Sequence, residues 1–184
     1  MNVQLYETFP VLSSYLLERE HLLEMKLNTT RPILEFDGQN DEVRDSLSAA
    51  VFVGDSLWLA SDEVTSVERL SSPDGNTFGN HESFPLRDLL DLPAQGTNFD
   101  QEIDIEGLDH KDSCLWLVGS HSIKRKKVDN DGSPTDKKIR KLARTEIDGN
   151  RFLLARVPLI ESANQELARS IVDPNNPQQT LKAG

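Results

Sequence analysis

The sequence predicts a mainly β protein of repeated antiparallel hairpins, β-propeller-like and at this length an incomplete propeller, with short helices near the termini. Three observations predict it. First, "AAVFVGDSLWLAS" aligns with "GLDHKDSCLWLVG" when Leu57-Trp58-Leu59 is laid over Leu115-Trp116-Leu117. Each copy reads as a strand, a tight polar turn and an apolar strand. A weaker third copy is "TEIDGNRFLLAR", with Phe152-Leu153-Leu154 in the same place. Second, the copies recur at an irregular spacing of roughly 40–60 residues, as propeller blades and related all-β repeats do. Third, the chain has 184 residues, which hold few blades, so a closed ring is short of material.

Taken in order, residues 1–30 make an N-terminal segment. Leu12, Tyr15, Leu16, Leu22 and Leu23 share a stripe that predicts an amphipathic helix over 11–26, while "NVQLYETF" before it reads equally as strand. Residues 31–160 make the repeated-hairpin domain. "RPILEFDG" is a short strand ended by the Asp37–Gly38 turn, and "QNDEVRDS" is a loop. Residues 47–70 read as strand, Gly54–Asp55 turn, strand Leu57–Ala60, and a further strand across Thr65–Leu70. "SSPDGNTFGNH" is a loop by its Pro, Gly and Asn content, and "FPLRDLLDLP" is a short helix between prolines. Two more strands lie around Glu102–Leu108 and Leu115–Gly119. The basic stretch that follows contains "VDNDGSPTDKK", with loop chemistry throughout, and Asp148–Gly149 marks a hairpin turn. Residues 161–184 make a C-terminal helix, opened by a Ser162-x-x-Gln165 capping box and stopped by Pro174, and a flexible polar tail.

The net charge of −11 opposes nucleic acid and anionic membranes, but it is unevenly spread. Lys124, Arg125, Lys126, Lys127, Lys137, Lys138, Arg140, Lys141 and Arg144 face only Asp129, Asp131 and Asp136, a balance of +6 that leaves −17 to the rest. This basic patch lacks interleaved aromatic residues for base stacking, so a solvated charged loop accounts for it better than a nucleic-acid contact. The single Cys114 lies in the apolar "SCLWLV" and reads as an inert buried thiol. With no secretory signal and no run long enough to span a bilayer, a reducing cytoplasm is the expected setting. His21, His81, His110 and His121 have no metal-binding spacing, and no nucleophile elbow, P-loop or dinucleotide fingerprint occurs.

"SAAVFVGDSLWLASDE" (48–63), "EIDIEGL" (102–108), "LWLVGSHSIKRKK" (115–127) and "GNRFLLARVPL" (149–159) resemble an uncharacterised bacterial domain-of-unknown-function family. Its members are propeller-like and share an acid-Gly-Leu element with the esterase-like phytase group. The resemblance covers roughly residues 31–160, with "DIEGL" and "LWLVGSHS" carrying most of it. It implies that the chain corresponds to the N-terminal part of longer members, which continue to a second acid-Gly-Leu element. It also implies a site near that element, calcium-bearing in some of the phytase-like group, and so points to Asp104 and Glu106.

The residues themselves leave two readings of this region open. Asp100, Glu102, Asp104 and Glu106 alternate with Ile103 and Ile105. Strand alternation would put the acids on one face about 7 Å apart, either as a solvated face over an isoleucine core or as ligands for Ca²⁺. Asp62 and Glu63 follow the first Leu-Trp-Leu strand and His121 follows the second. Equivalent blade positions would bring all three to one rim, as metal or acid–base groups or as ordinary turn residues. The expected function is binding or scaffolding of a protein or small-molecule ligand through this loop-lined acidic rim. One alternative is a calcium-assisted phosphomonoesterase or other hydrolase, resting on the resemblance. Another is a weak nucleic-acid contact through residues 124–144.

Overall fold

Two tryptophan-centred hairpins organise the computed structural model, which describes residues 31–38, 41–93, 102–126, 128, 134–162 and 164–184. The chain divides into the units Met1–Arg31 and Pro32–Gly184, and the second holds every strand among the described residues. The helix expected over 11–26 lies outside the described residues.

The strands are β1 (Ile33–Leu34), β2 (Leu47–Val53), β3 (Ser56–Ser61), β4 (Ser66–Ser71), β5 (Thr77–Pro85), β6 (Ile105–Lys111), β7 (Cys114–Gly119), β8 (Lys124–Arg125), β9 (Thr145–Glu146), β10 (Leu154–Ile160), β11 (Glu166–Leu167), β12 (Ser170–Asp173) and β13 (Asn176–Lys182). The first sheet is an antiparallel meander of β2, β3, β4 and β5, with β1 added in parallel at the β5 edge. The second has the order β11-β10-β7-β6, again antiparallel. β8–β9 and β12–β13 are separate two-stranded ribbons.

The two hairpins match residue for residue. In the first, Val53 pairs with Ser56 around Gly54–Asp55; in the second, Lys111 pairs with Cys114 around Asp112–Ser113. Both turns need left-handed backbone: Gly54 has φ 55°, and Asp112 and Ser113 both have φ 53°, as a two-residue turn matched to strand twist demands. Trp58 and Trp116 therefore stand at the same distance from their turns, each on the second strand of a meander.

Stacking is directional. Trp58, Ala60 and Val67 of the first sheet enter the main core, where they meet Leu115, Leu117, Ala155, Val157 and Leu159 of the second. Leu57, Leu59 and Leu70 face the other way and form a second cluster with Phe78, against which Leu34 and Phe36 pack. Because side chains alternate along a strand, Trp116 must lie opposite Leu115 and Leu117, on the far face of the second sheet. The Trp face of one module thus packs on the Leu face of the next, as in consecutive propeller blades. Two ties set the alignment. At the open end, the Ser48 hydroxyl donates to the Ile105 carbonyl. At the turn end, Gln165 accepts from Trp58 Nε1 at 2.9 Å and donates to the Val53 carbonyl at 2.8 Å. The open tips of both hairpins therefore point the same way.

Several local expectations are corrected. The third copy is not a hairpin: Asp148 caps a 3-10 turn over Gly149–Phe152, and Leu154 begins β10, the third strand of its sheet. The expected helix after Ser162 is instead β11 and β12, because Leu167 pairs with Leu159 and Gln165 is drawn into the bonds to Trp58 and Val53. The tail is β13, zipped to β12, and its end bonds back to Arg156 through both backbone groups of Gly184 at 3.0 and 3.1 Å. Thr77–His81, expected as loop, belongs to β5. Asp41–Asp45 is a short helix, α1, and Thr135–Leu142 in the basic stretch is a helix, α2, with no buried residue. The short helix expected in "FPLRDLLDLP" is a single 3-10 turn, Leu86–Asp88.

Candidate functional site

The acidic row does not keep to one face. Asp104 has φ 55°, outside strand conformation, and β6 begins only at Ile105. Ile103 and Ile105 are both fully buried in the main core. Glu102 meets Lys124 Nζ at 2.6 Å, Asp104 is buried, and Glu106 is exposed. Three acids that alternation would align thus have three environments.

Asp104 is the centre of a polar cluster at the open tip of the second sheet. Its carboxylate accepts from the Arg151 guanidinium, which also donates to Ser122 Oγ at 3.1 Å and, through Nε, to Ser120 Oγ at 3.2 Å. The two hydroxyls are 3.0 Å apart. His121 sits between them in the chain at φ 50°, with its backbone N–H on the Arg151 carbonyl at 2.9 Å and its ring edge-on to Phe152. His121 Nε2 lies 3.3 Å from the Leu153 carbonyl. Neither serine hydroxyl therefore has an imidazole base beside it, and the geometry is that of a hydrogen-bonding platform rather than an activated nucleophile.

Gly119 lets these parts close together. A Cβ there would stand 2.6 Å from the Arg151 carbonyl oxygen and 3.1 Å from that of Ile103, both backbone atoms that cannot step aside. Gly119→Ala is expected to destabilise the protein by about 1–3 kcal/mol. Gly107→Ala, which meets only the Val118 Cγ1 methyl at 2.8 Å, should cost less. Thermal melts of the two variants check the order.

The other expected rim residues are placed as follows. Asp62 is half-buried at the open tip of the first sheet, with its N–H on the Ser46 carbonyl at 3.2 Å and Oδ1 buried without a hydrogen bond among the described residues. Glu63 is exposed. Among the described residues, no three His, Cys, Asp or Glu side chains gather so as to hold a metal ion. Asp104 already has Arg151 and Glu102 has Lys124, so the donor set does not fit calcium: a cation would have to displace two resident ones. Sequence reading missed Arg151, because "IDGN" before it looked like a hairpin turn.

Of the basic patch, Lys124 and Arg125 form β8, and Lys126 Nζ meets Glu146 at 2.6 Å. Lys137, Lys138, Arg140 and Lys141 lie on α2, and Arg144 follows it. Lys127 lies outside the described residues. Cys114 is buried, as expected, and burial raises its thiol pKa.

A second polar cluster centres on the buried side chains of Glu68 and His81. Glu68 accepts from Ser66 Oγ at 2.5 Å and Ser83 Oγ at 3.1 Å, and meets His81 Nε2 at 2.7 Å. His81 Nδ1 accepts from the Asp37 N–H at 3.2 Å, so the proton is on Nε2 and points at Glu68. The serines bond the acid and not the imidazole, which is not the order of a catalytic triad. The cluster clamps the segment after β1 onto the sheet.

Fold and site together define a mainly β repeat protein with a polar, strained cluster at the open tip of its second sheet. A family model described as Protein of unknown function (DUF3616) matches residues 46–184, and the chain belongs to that family. No curated protein and no solved structure matches the chain. Among the described residues no helix is long and apolar enough to cross a membrane.

Proposed function

We propose that the protein is a binding or scaffolding module that takes an oxyanion, carboxylate or phosphoryl, at the tip cluster of Arg151, Ser120, Ser122 and His121. The observation that carries this reading is the pair of left-handed non-glycine residues, Asp104 and His121, on either side of a guanidinium ringed by hydroxyls. Such backbone conformations cost about 1–3 kcal/mol each and persist where the surroundings over-determine them, as ligand sites do. The guanidinium already faces the Asp104 carboxylate, so the groups left to meet a ligand's oxygens are the Ser120 and Ser122 hydroxyls it braces and the exposed His121. Exposed His121 marks the side from which a ligand would approach. The acid-Gly-Leu element that members of the resembled family are expected to share with the esterase-like phytase group favours the phosphoryl arm.

The test is thermal unfolding with inorganic phosphate and with succinate, against chloride at matched ionic strength. A ligand at a hundredfold its Kd adds about 2.7 kcal/mol of stability, so the melting temperature should climb with one of the two anions. The climb should vanish in the Ser120→Ala/Ser122→Ala double variant, which spares the Arg151–Asp104 pair. No climb with either anion, or one that survives the double variant, sinks the reading. Release of p-nitrophenol from p-nitrophenyl phosphate would replace it with the hydrolase.

A further inference from the structure

The far face of the second sheet is unfinished in two respects. Trp58 is fully buried, and its Nε1 finds an acceptor on Gln165, contributed by the neighbouring module. Trp116, its repeat equivalent, is half-buried, and its Nε1 is cut off from solvent with no hydrogen-bond partner among the described residues. The acceptor that stacking supplies to the first tryptophan is missing for the second. Around Trp116 the same face carries Val118 and, across the ladder, Leu154, which is 67% exposed; Phe152, two residues earlier, is 42% exposed. Apolar side chains gathered on one open sheet face mark an interaction surface.

Charge says what would cover it. Asp109 and Arg156 are the two ladder partners of Trp116, so one acid and one base flank the indole in a single row across β6, β7 and β10. The Arg156 guanidinium also lies 5.9 Å from the indole centroid. A two-fold axis running along β7, between two such faces, sets Asp109 of each copy against Arg156 of the other, Val118 against Val118, and the exposed Leu154 of each copy over Gly107, the β6 partner of Val118, in the other. Continuing the internal Trp-on-Leu stacking into another copy is closed off, because Leu57 and Leu59 are already buried beside Leu34 and Phe36. We propose that this face pairs with itself in a second copy of the chain, an isologous dimer of sheets packed face to face.

Sedimentation velocity of the full chain across micromolar concentrations tests it. The expected species has the mass of two 20.7 kDa chains. Leu154→Glu, at an exposed position, should leave the fold and its melting intact and yield monomers. Asp109→Arg and Arg156→Asp should each yield monomers as well, by setting like charges face to face, and the double variant should recover the dimer. A monomer throughout, a dimer indifferent to Leu154→Glu, singles that the double fails to rescue, or an assembly that grows past two copies would each overturn the proposal.

Discussion

Trp58→Ala is expected to cost about 3–5 kcal/mol, whereas the same substitution at Trp116 costs roughly 1–2 kcal/mol. The two residues occupy one position of a repeated hairpin, so the difference isolates what stacking adds. Trp58 has no exposed surface, touches a core drawn from both sheets, and lies against Phe84 at 5.2 Å between ring centroids. Its removal opens a cavity bounded by two sheets and strands the Gln165 amide, whose oxygen loses the indole N–H. Arg69, which donates to the Gln165 carbonyl at 2.8 Å, remains but cannot fill the space. Trp116 is half-buried and has no donor bond to lose. Urea titrations in a Leu154→Glu background, where association is removed, check the ratio. Equal losses would mean that the hairpins are not stacked in one direction.

Arg151→Ala should cost about 3–5 kcal/mol, because it leaves the Asp104 carboxylate buried without its counter-charge. The side chain of Asp104 is 8% exposed and that of Arg151 13%, so water can solvate an abandoned partner only poorly. Arg151→Lys should recover little, since a single ammonium cannot reach Asp104, Ser120 and Ser122 together as the guanidinium fork does. Asp104→Asn with Arg151→Gln should be milder than Arg151→Ala alone, because both charges leave at once. Denaturant unfolding of the series measures each step. A loss under 1 kcal/mol for Arg151→Ala would show that the pair is solvated and the cluster loosely built.

Much of the frame was legible from local pattern. Val, Phe, Leu and Trp runs broken by Gly54–Asp55 and Asp112–Ser113 predict two hairpins, because a two-residue turn with left-handed backbone admits few alternatives. Their shared Leu-Trp-Leu centre predicts equivalent strands, and β3 and β7 are equivalent. What failed was local chemistry overridden by partners far along the chain. Ser162-x-x-Gln165 has the form of a helix cap, but Gln165 is held by Trp58 and Val53, more than a hundred residues earlier. The polar tail has little reason to be ordered until β12 lies beside it.

The candidate site divides in the same way. Asp104 was singled out from the acidic alternation and the family resemblance and His121 from its place after the second Leu-Trp-Leu strand, but Arg151 was hidden in an apparent turn and the acids seemed to share one face. By itself, the chain determined where strands and tight turns occur, since those follow from side-chain period and backbone sterics over a few residues. Only the tertiary structure decided which face of each hairpin is buried, which acid keeps a counter-charge and which tryptophan lacks an acceptor. Those outcomes depend on groups remote in sequence that desolvate one another only when the sheets stack.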